Sequence, residues 1–329
     1  MEISYTTPLR RAWHRMKAML FRPLHIERWF VLGFAVFLAG LPHPGGMFSW
    51  NSGFPGHHRG SGRGAHLIES LRQTITTALE KPVVLFAIAC ALVFAGIVVL
   101  VLAWLSARAR LIYLDNVATG RAEFVEPWGR LGRLGRSLFL WYAAFSFTLL
   151  LPIAALAWPF GRLCVSVLTG LEPVVPAFGA MFAGGALAVL LACLIAFVGF
   201  MTCEFVEPIM LIHDESASAA WGRFWPLFTS HLGEFIAYAL FVLVLGLGVT
   251  IALAVAGVAT CCIGLVLMMI PYVSSVLLLP VEVTTRALGP EFLAQFGPEW
   301  DLFASKAPKV EAPADPQSPE PPPGGPLPG

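Results

Sequence analysis

From Val83 to Ser106 the chain carries no Asp, Glu, Lys, Arg or His, and a run of that length leaves few folds open to it. A helix needs about 20 apolar residues to cross a hydrocarbon core of about 30 Å, whereas a soluble helix of that length keeps a polar face. Comparable runs recur at Leu138–Trp158, Val174–Cys203, Phe235–Gly257 and Ile263–Val281. A shorter one, Trp29–Leu41, stops at Pro42 and reaches spanning length only if helix extends back over 24–28, with His25 and Arg28 snorkelling to the interface. Charged residues make up only 12% of the chain, against roughly 25% in a soluble domain. The expectation is an all-α fold, a polytopic transmembrane helical bundle of about six spans near 24–41, 83–106, 138–158, 176–203, 235–257 and 263–281.

Positive charge sets the expected orientation. Arg10, Arg11, Arg15, Lys17, Arg22 and Arg28 precede or open the first run, and Arg108, Arg110, Arg121, Arg130, Arg133 and Arg136 lie between the second and third. Arg223, Arg286, Lys306 and Lys309 fall on the same side, against Arg59, Arg63, Arg72, Lys81 and Arg162 on the other. Both termini are therefore expected in the cytoplasm of a bacterial inner membrane. Residues 1–23 are interrupted by five basic side chains and are not read as a secretory signal.

Three segments share a pattern ahead of odd-numbered spans: Ala12-Trp13-His14-Arg15, Pro127-Trp128-Gly129-Arg130 and Ala220-Trp221-Gly222-Arg223. Apolar positions continue at helical spacing in each, as Leu9, Trp13, Met16 and Leu20, then Trp128, Leu131, Leu134 and Leu138, then Trp221, Phe224, Trp225 and Phe228. An interfacial Trp with a basic neighbour suits lipid headgroups. The pattern predicts three copies of an interfacial helix followed by a helical hairpin, with Trp13, Arg15, Trp128, Arg130, Trp221 and Arg223 as structural residues of the interface. Small-residue ladders, Ala87/Ala91/Ala95 and Ala180/Gly184/Ala188/Ala192/Ala196, predict close helix packing.

That Ala-Trp-x-Arg helix before paired spans, with Pro280-Val-Glu-Val-Thr-Thr-Arg286-Ala-Leu-Gly289 near the end, resembles an uncharacterised family of prokaryotic six-span membrane proteins. It is also loosely similar to the membrane domain that accompanies some bacterial glycerophosphodiester phosphodiesterases. The resemblance implies fold and location, and no catalytic residue.

The spans themselves hold almost no ionisable groups, which argues against a proton relay or ion pathway. The pentapeptide Glu-Phe-Val-Glu-Pro occurs twice, at 123–127 and 204–208. Glu204 and Glu207 share a helical face at the end of the fourth run, where Arg108, Arg110 or Arg223 is the expected partner of at least one. His213, Asp214 and Glu215 follow; Asp214 or Ser216 is expected to cap the next helix. The six cysteines lack metal or redox spacing and read as small hydrophobes. His43, His57, His58 and His66 sit in a Gly/Pro-rich loop too loose for fixed coordination, and Leu67 to Leu79 form an outer amphipathic helix. The transmembrane domain is set at 1–303, with 304–329 a disordered Pro-rich cytoplasmic tail.

None of GxxxxGK[ST], HExxH or GxSxG is present, so no catalytic, cofactor-binding or metal residue is assigned and no cofactor is expected. A formal net charge of +1 gives no field for nucleic acid. The expected partners are the lipid bilayer and a second copy or another membrane protein. Three functions stay open: a non-enzymatic scaffold, assembly or organising protein, ranked first; a transporter or channel; and a lipid-active enzyme using Glu204, Glu207 and His213.

Overall fold

A chain this rich in apolar residues satisfies its backbone internally through helix, and the computed structural model, which describes residues 3–22, 24–41, 82–168, 174–260, 264, 267 and 270–306, is helical in every named element. In order these are α1 (Thr6–Phe21), α2 (Ile26–Ala39), α3 (Pro82–Thr119), α4 (Val125–Arg130), α5 (Gly132–Leu168), α6 (Val174–Met201), a π turn (Thr202–Val206), α7 (Glu207–His213), α8 (Ala217–Ser230), α9 (Leu232–Ala259), α10 (Pro271–Leu277), α11 (Leu279–Leu293) and α12 (Leu302–Lys306). The His-rich loop, the outer helix expected at 67–79 and the Pro-rich tail lie outside the described residues.

Helix α3 shows how the molecule is layered. Pro82 opens it where a missing N–H costs nothing, and Gly120 closes it at φ +71°. Its 38 residues extend for about 57 Å, nearly twice a hydrocarbon core. Almost every side chain from 83 to 101 is exposed, and from Ala103 onward most are buried. The first stretch matches the membrane thickness; the rest enters a packed helical body. Helix α9 repeats the layout in reverse, with Phe235 and Tyr238 buried and Leu240, Leu243, Leu247 and Ile251 bare.

The body is where the elements meet. Helix α1 packs along α11, α2 on α3, α3 on α5 and α5 on α6. Its core is aromatic, with Phe205, Phe224, Phe235, Tyr238 and Phe292 all fully buried and in mutual ring contact. Helix α1 buries Pro8, Ala12, Met16, Met19 and Leu20. That stripe is turned by one residue from the expected Leu9/Trp13 face, because small Ala12 admits α11 closely, so Trp13 is left 45% exposed.

Three helical segments are long and apolar enough to cross a membrane: Pro82–Thr119, Phe182–His213 and Leu232–Ala259. Six full spans are not supported. Helix α2 has 14 residues, about 21 Å, and its expected extension over 24–25 is absent because His25 is extended at φ −118°, ψ 112°. The last run is broken at Ile270 (φ −87°, ψ 110°), since Pro271 disfavours helical backbone at the residue before it. The ladder Ala87/Ala91/Ala95 is exposed and packs nothing among the described residues.

Candidate functional site

Pro208 generates the site. It has no N–H, and in α-register its ring would press on the Glu204 carbonyl. The helix widens into a π turn in which the Glu207 N–H reaches five residues back to the Thr202 carbonyl. The Cys203 carbonyl then has no helical donor. An α-register would have given it the Glu207 N–H, and a π-register the N–H that Pro208 lacks. Arg286 on α11 fills the gap, donating from Nη1 to Cys203 O at 2.9 Å and to Sγ at 2.8 Å. π turns of this kind concentrate at functional sites.

Around that turn lies a cluster of polar side chains in the body's interior. Glu207 is fully buried and pairs through Oε2 with Arg286 Nη2 and through Oε1 with Arg110 Nη1 at 3.5 Å. Arg110 also donates to the Tyr142 hydroxyl at 2.9 Å, and that hydroxyl donates to Glu207 Oε1 at 3.4 Å. Arg286 Nη2 reaches the Arg110 carbonyl at 3.4 Å. Beside this triad, Tyr238 donates to Glu204 Oε2 at 2.8 Å. Five helices, α3, α5, α7, α9 and α11, thus send a polar group to one place, together with the π turn itself.

Close approach makes this possible. A Cβ at Gly289 would sit 2.5 Å from the Glu204 carbonyl oxygen, so only glycine lets α11 lie against the π turn with Arg286 in reach. An apolar cavity of about 250 Å³ between α3 and α5, lined by Val99, Leu100, Phe139 and Phe147, ends on Arg110 and Tyr142.

Of the three arginines the sequence offers to Glu204 and Glu207, the fold brings up Arg110. Arg223 pairs with Glu215 at 2.5 Å, and its hydrogen bond holds the Glu215 carboxyl below the usual carboxylate range. Arg108 instead lies over the Trp128 ring, 4.2 Å from its centroid. A double-mutant cycle separates them: Glu207→Ala with Arg110→Ala is expected to show coupling above about 1 kcal/mol, and Glu207→Ala with Arg223→Ala to add within about 0.5 kcal/mol. Unfolding in detergent reads both; equal coupling would place Glu207 elsewhere.

The repeat arginines each hold a carboxylate. Arg15 pairs with buried Glu291 at 2.9 Å, Arg130 with buried Asp115 at 2.5 Å, and Arg223 with Glu215. The tryptophans are less alike. Trp13 is exposed, Trp128 stacks on Phe124, and Trp221 lies against Trp141 with ring centroids 5.6 Å apart. His213 is six residues beyond Glu207, roughly 9 Å along the helix, with its ring against Trp300. Ser216 caps α8, accepting from Ala219 N at 3.4 Å, while Asp214 takes the left-handed conformation at φ 54° and pairs with Arg133. Among the described residues no group of three His, Cys, Asp or Glu is arranged to hold a metal ion.

The charges of this cluster lie on the apolar helices themselves, where these enter the body. Sequence reasoning missed Arg286, Tyr142, Cys203 and Tyr238. The available signal was Arg286 itself, a lone basic residue in the segment Thr-Thr-Arg-Ala-Leu-Gly, which by sequence alone counts only as a topology charge. No curated protein and no solved structure matches the chain. The profile of a family of unknown function, DUF7544, matches residues 4–296, nearly the whole length, and the chain belongs to that family.

Proposed function

We propose that the chain is a multi-pass protein of a bacterial inner membrane, with both termini in the cytoplasm, acting without catalysis as a scaffold or organiser of other membrane components. What supports this most is the full engagement of the Glu207 carboxylate at the centre of the polar cluster. Both carboxylate oxygens of Glu207 are engaged by arginines, and the carboxylate is sealed from solvent. A general acid or a transport site needs a polar group that is free to exchange its partner. Here the partners tie helices to one another, and the adjoining cavity is apolar.

The asymmetry of Lys and Arg supports the orientation. In this reading the three long apolar helices and α5 cross fully. Helices α2 and α10 form a shortened pair, Tyr272 donating to the Phe30 carbonyl at 3.1 Å and its ring meeting Phe37. Six apolar runs thereby give four full-length crossings and one shortened pair that completes the even count.

Extraction into native-lipid nanodiscs tests the reading. The intact chain is expected to carry a second membrane protein in stoichiometric amount, and Trp225→Ala, at an exposed ring on α8, to release it without lowering the unfolding midpoint. A chain that purifies alone and raises the solute permeability of proteoliposomes overturns the proposal in favour of transport.

A further inference from the structure

A second groove, separate from the buried cluster, opens on the surface where α3 enters the body. It has a volume of about 450 Å³ and is lined by Trp104, Arg108, Gly129, Gly132, Arg133 and Arg136. We propose that it is a binding site for the phosphate headgroup of an anionic glycerophospholipid. The inference rests on the reading of α3 as a membrane span.

Three arginines face the groove against a single carboxylate, Asp214, which pairs with Arg133. Arg136 is exposed and has no ion-pair or hydrogen-bond partner among the described residues. Arg108 is held in place before any ligand arrives. Its guanidinium lies over Trp128 at 4.2 Å and Trp104 at 5.7 Å, and its Nη2 donates to the Trp128 carbonyl. Its buried Nε has no acceptor among the described residues.

The glycines are part of the construction. A Cβ at Gly132 would fall 2.6 Å from Arg108 Nη2, and one at Gly135 3.1 Å from the Arg108 Cα, so side chains there would displace the arginine. A guanidinium fixed in this way loses little freedom on meeting a phosphate and offers it paired N–H groups.

Depth selects the lipid over a soluble anion. Trp104 follows directly on the bare apolar stretch 83–101, at the point where α3 changes from exposed to buried. An amphipathic ring at that level marks the headgroup region, and basic pockets on the cytoplasmic side of span bundles recognise anionic headgroups. A phosphate between Arg108, Arg133 and Arg136 leaves its acyl chains alongside Val98, Val101 and the other exposed apolar residues of α3.

The test uses the full chain delipidated in dodecyl maltoside. Adding phosphatidylglycerol is expected to raise the unfolding midpoint by about 5 °C, while phosphatidylcholine and inorganic phosphate leave it unchanged. Arg136→Gln is expected to remove at least half of the shift, and Arg10→Gln, an exposed arginine on α1, none. Equal loss in the two variants would reduce the effect to general surface charge and overturn the site. An equal shift from phosphatidylcholine removes the headgroup from the proposal, and one from inorganic phosphate makes it a free-anion site. Alkaline carbonate extraction of cell membranes, run on wild type and Arg136→Gln, isolates the underlying reading. A chain released by carbonate is not integral and fails that reading, whereas one that resists carbonate without a phosphatidylglycerol shift fails the headgroup site alone.

Discussion

Glu207→Ala is expected to destabilise the protein by about 3–5 kcal/mol, because it takes from Arg110 and Arg286 the carboxylate that pairs with both in the buried interior. The Cys203 carbonyl and the Tyr142 hydroxyl can accept from the stranded guanidiniums but cannot neutralise them. Reversible unfolding in mixed detergent measures the loss. The informative comparison is with the triple replacement Glu207→Leu, Arg110→Met and Arg286→Met, which removes the three charges of the triad together. It is expected to recover most of the stability, since well-packed apolar groups substitute for a buried ion network at little net cost. A Glu207→Ala variant within about 0.5 kcal/mol of wild type would mean that the triad is not buried in the folded protein. A triple variant worse than Glu207→Ala would mean that the ions contribute net stability beyond their mutual neutralisation.

The second large effect is expected at Gly289. Gly289→Ala puts a methyl group 2.5 Å from a backbone carbonyl of the π turn, and a backbone atom cannot rotate away as a side chain would. Overpacking of this kind costs about 1–3 kcal/mol. Helix α11 must move outward, and Arg286, one turn earlier on the same helix, moves with it. The substitution should therefore act on the triad as well as on packing: Gly289→Ala and Glu207→Ala combined are expected to cost less than the sum of the two. Gly222→Ala is the control, since a Cβ there meets nothing among the described residues within 4 Å and an exposed helical glycine is a weak helix former. It should be neutral or mildly stabilising, and a Gly289→Ala variant that behaves like Gly222→Ala would show that α11 does not touch the π turn.

The twice-occurring Glu-Phe-Val-Glu-Pro separates what local sequence can settle from what it cannot. At 123–127 it opens the short helix α4, and Glu126 stays at the surface in an i,i+4 pair with Arg130 at 3.3 Å. At 204–208 the same five residues form a π turn inside a longer helix, with Glu207 enclosed between two arginines. In the first copy proline sits at a helix start, where its missing N–H is harmless. In the second the apolar helix α6 continues into it, and the register must widen to pass the ring.

Helical class, the long apolar helices, the end of α3 at Gly120 and the cap at Ser216 follow from properties of neighbouring residues. Periodicity, capping chemistry and runs without charge act over one or two helical turns, so a sequence displays them directly. Which carboxylate each arginine meets, the enclosure of Glu207 by Arg286 from 79 positions away and the shortening of the first and last apolar runs are different. They depend on how closely helices approach one another, and here that distance is set by a single hydrogen atom at Gly289 in place of a side chain. The charge of Arg286 is visible in the sequence, but its role exists only once α11 lies against the π turn.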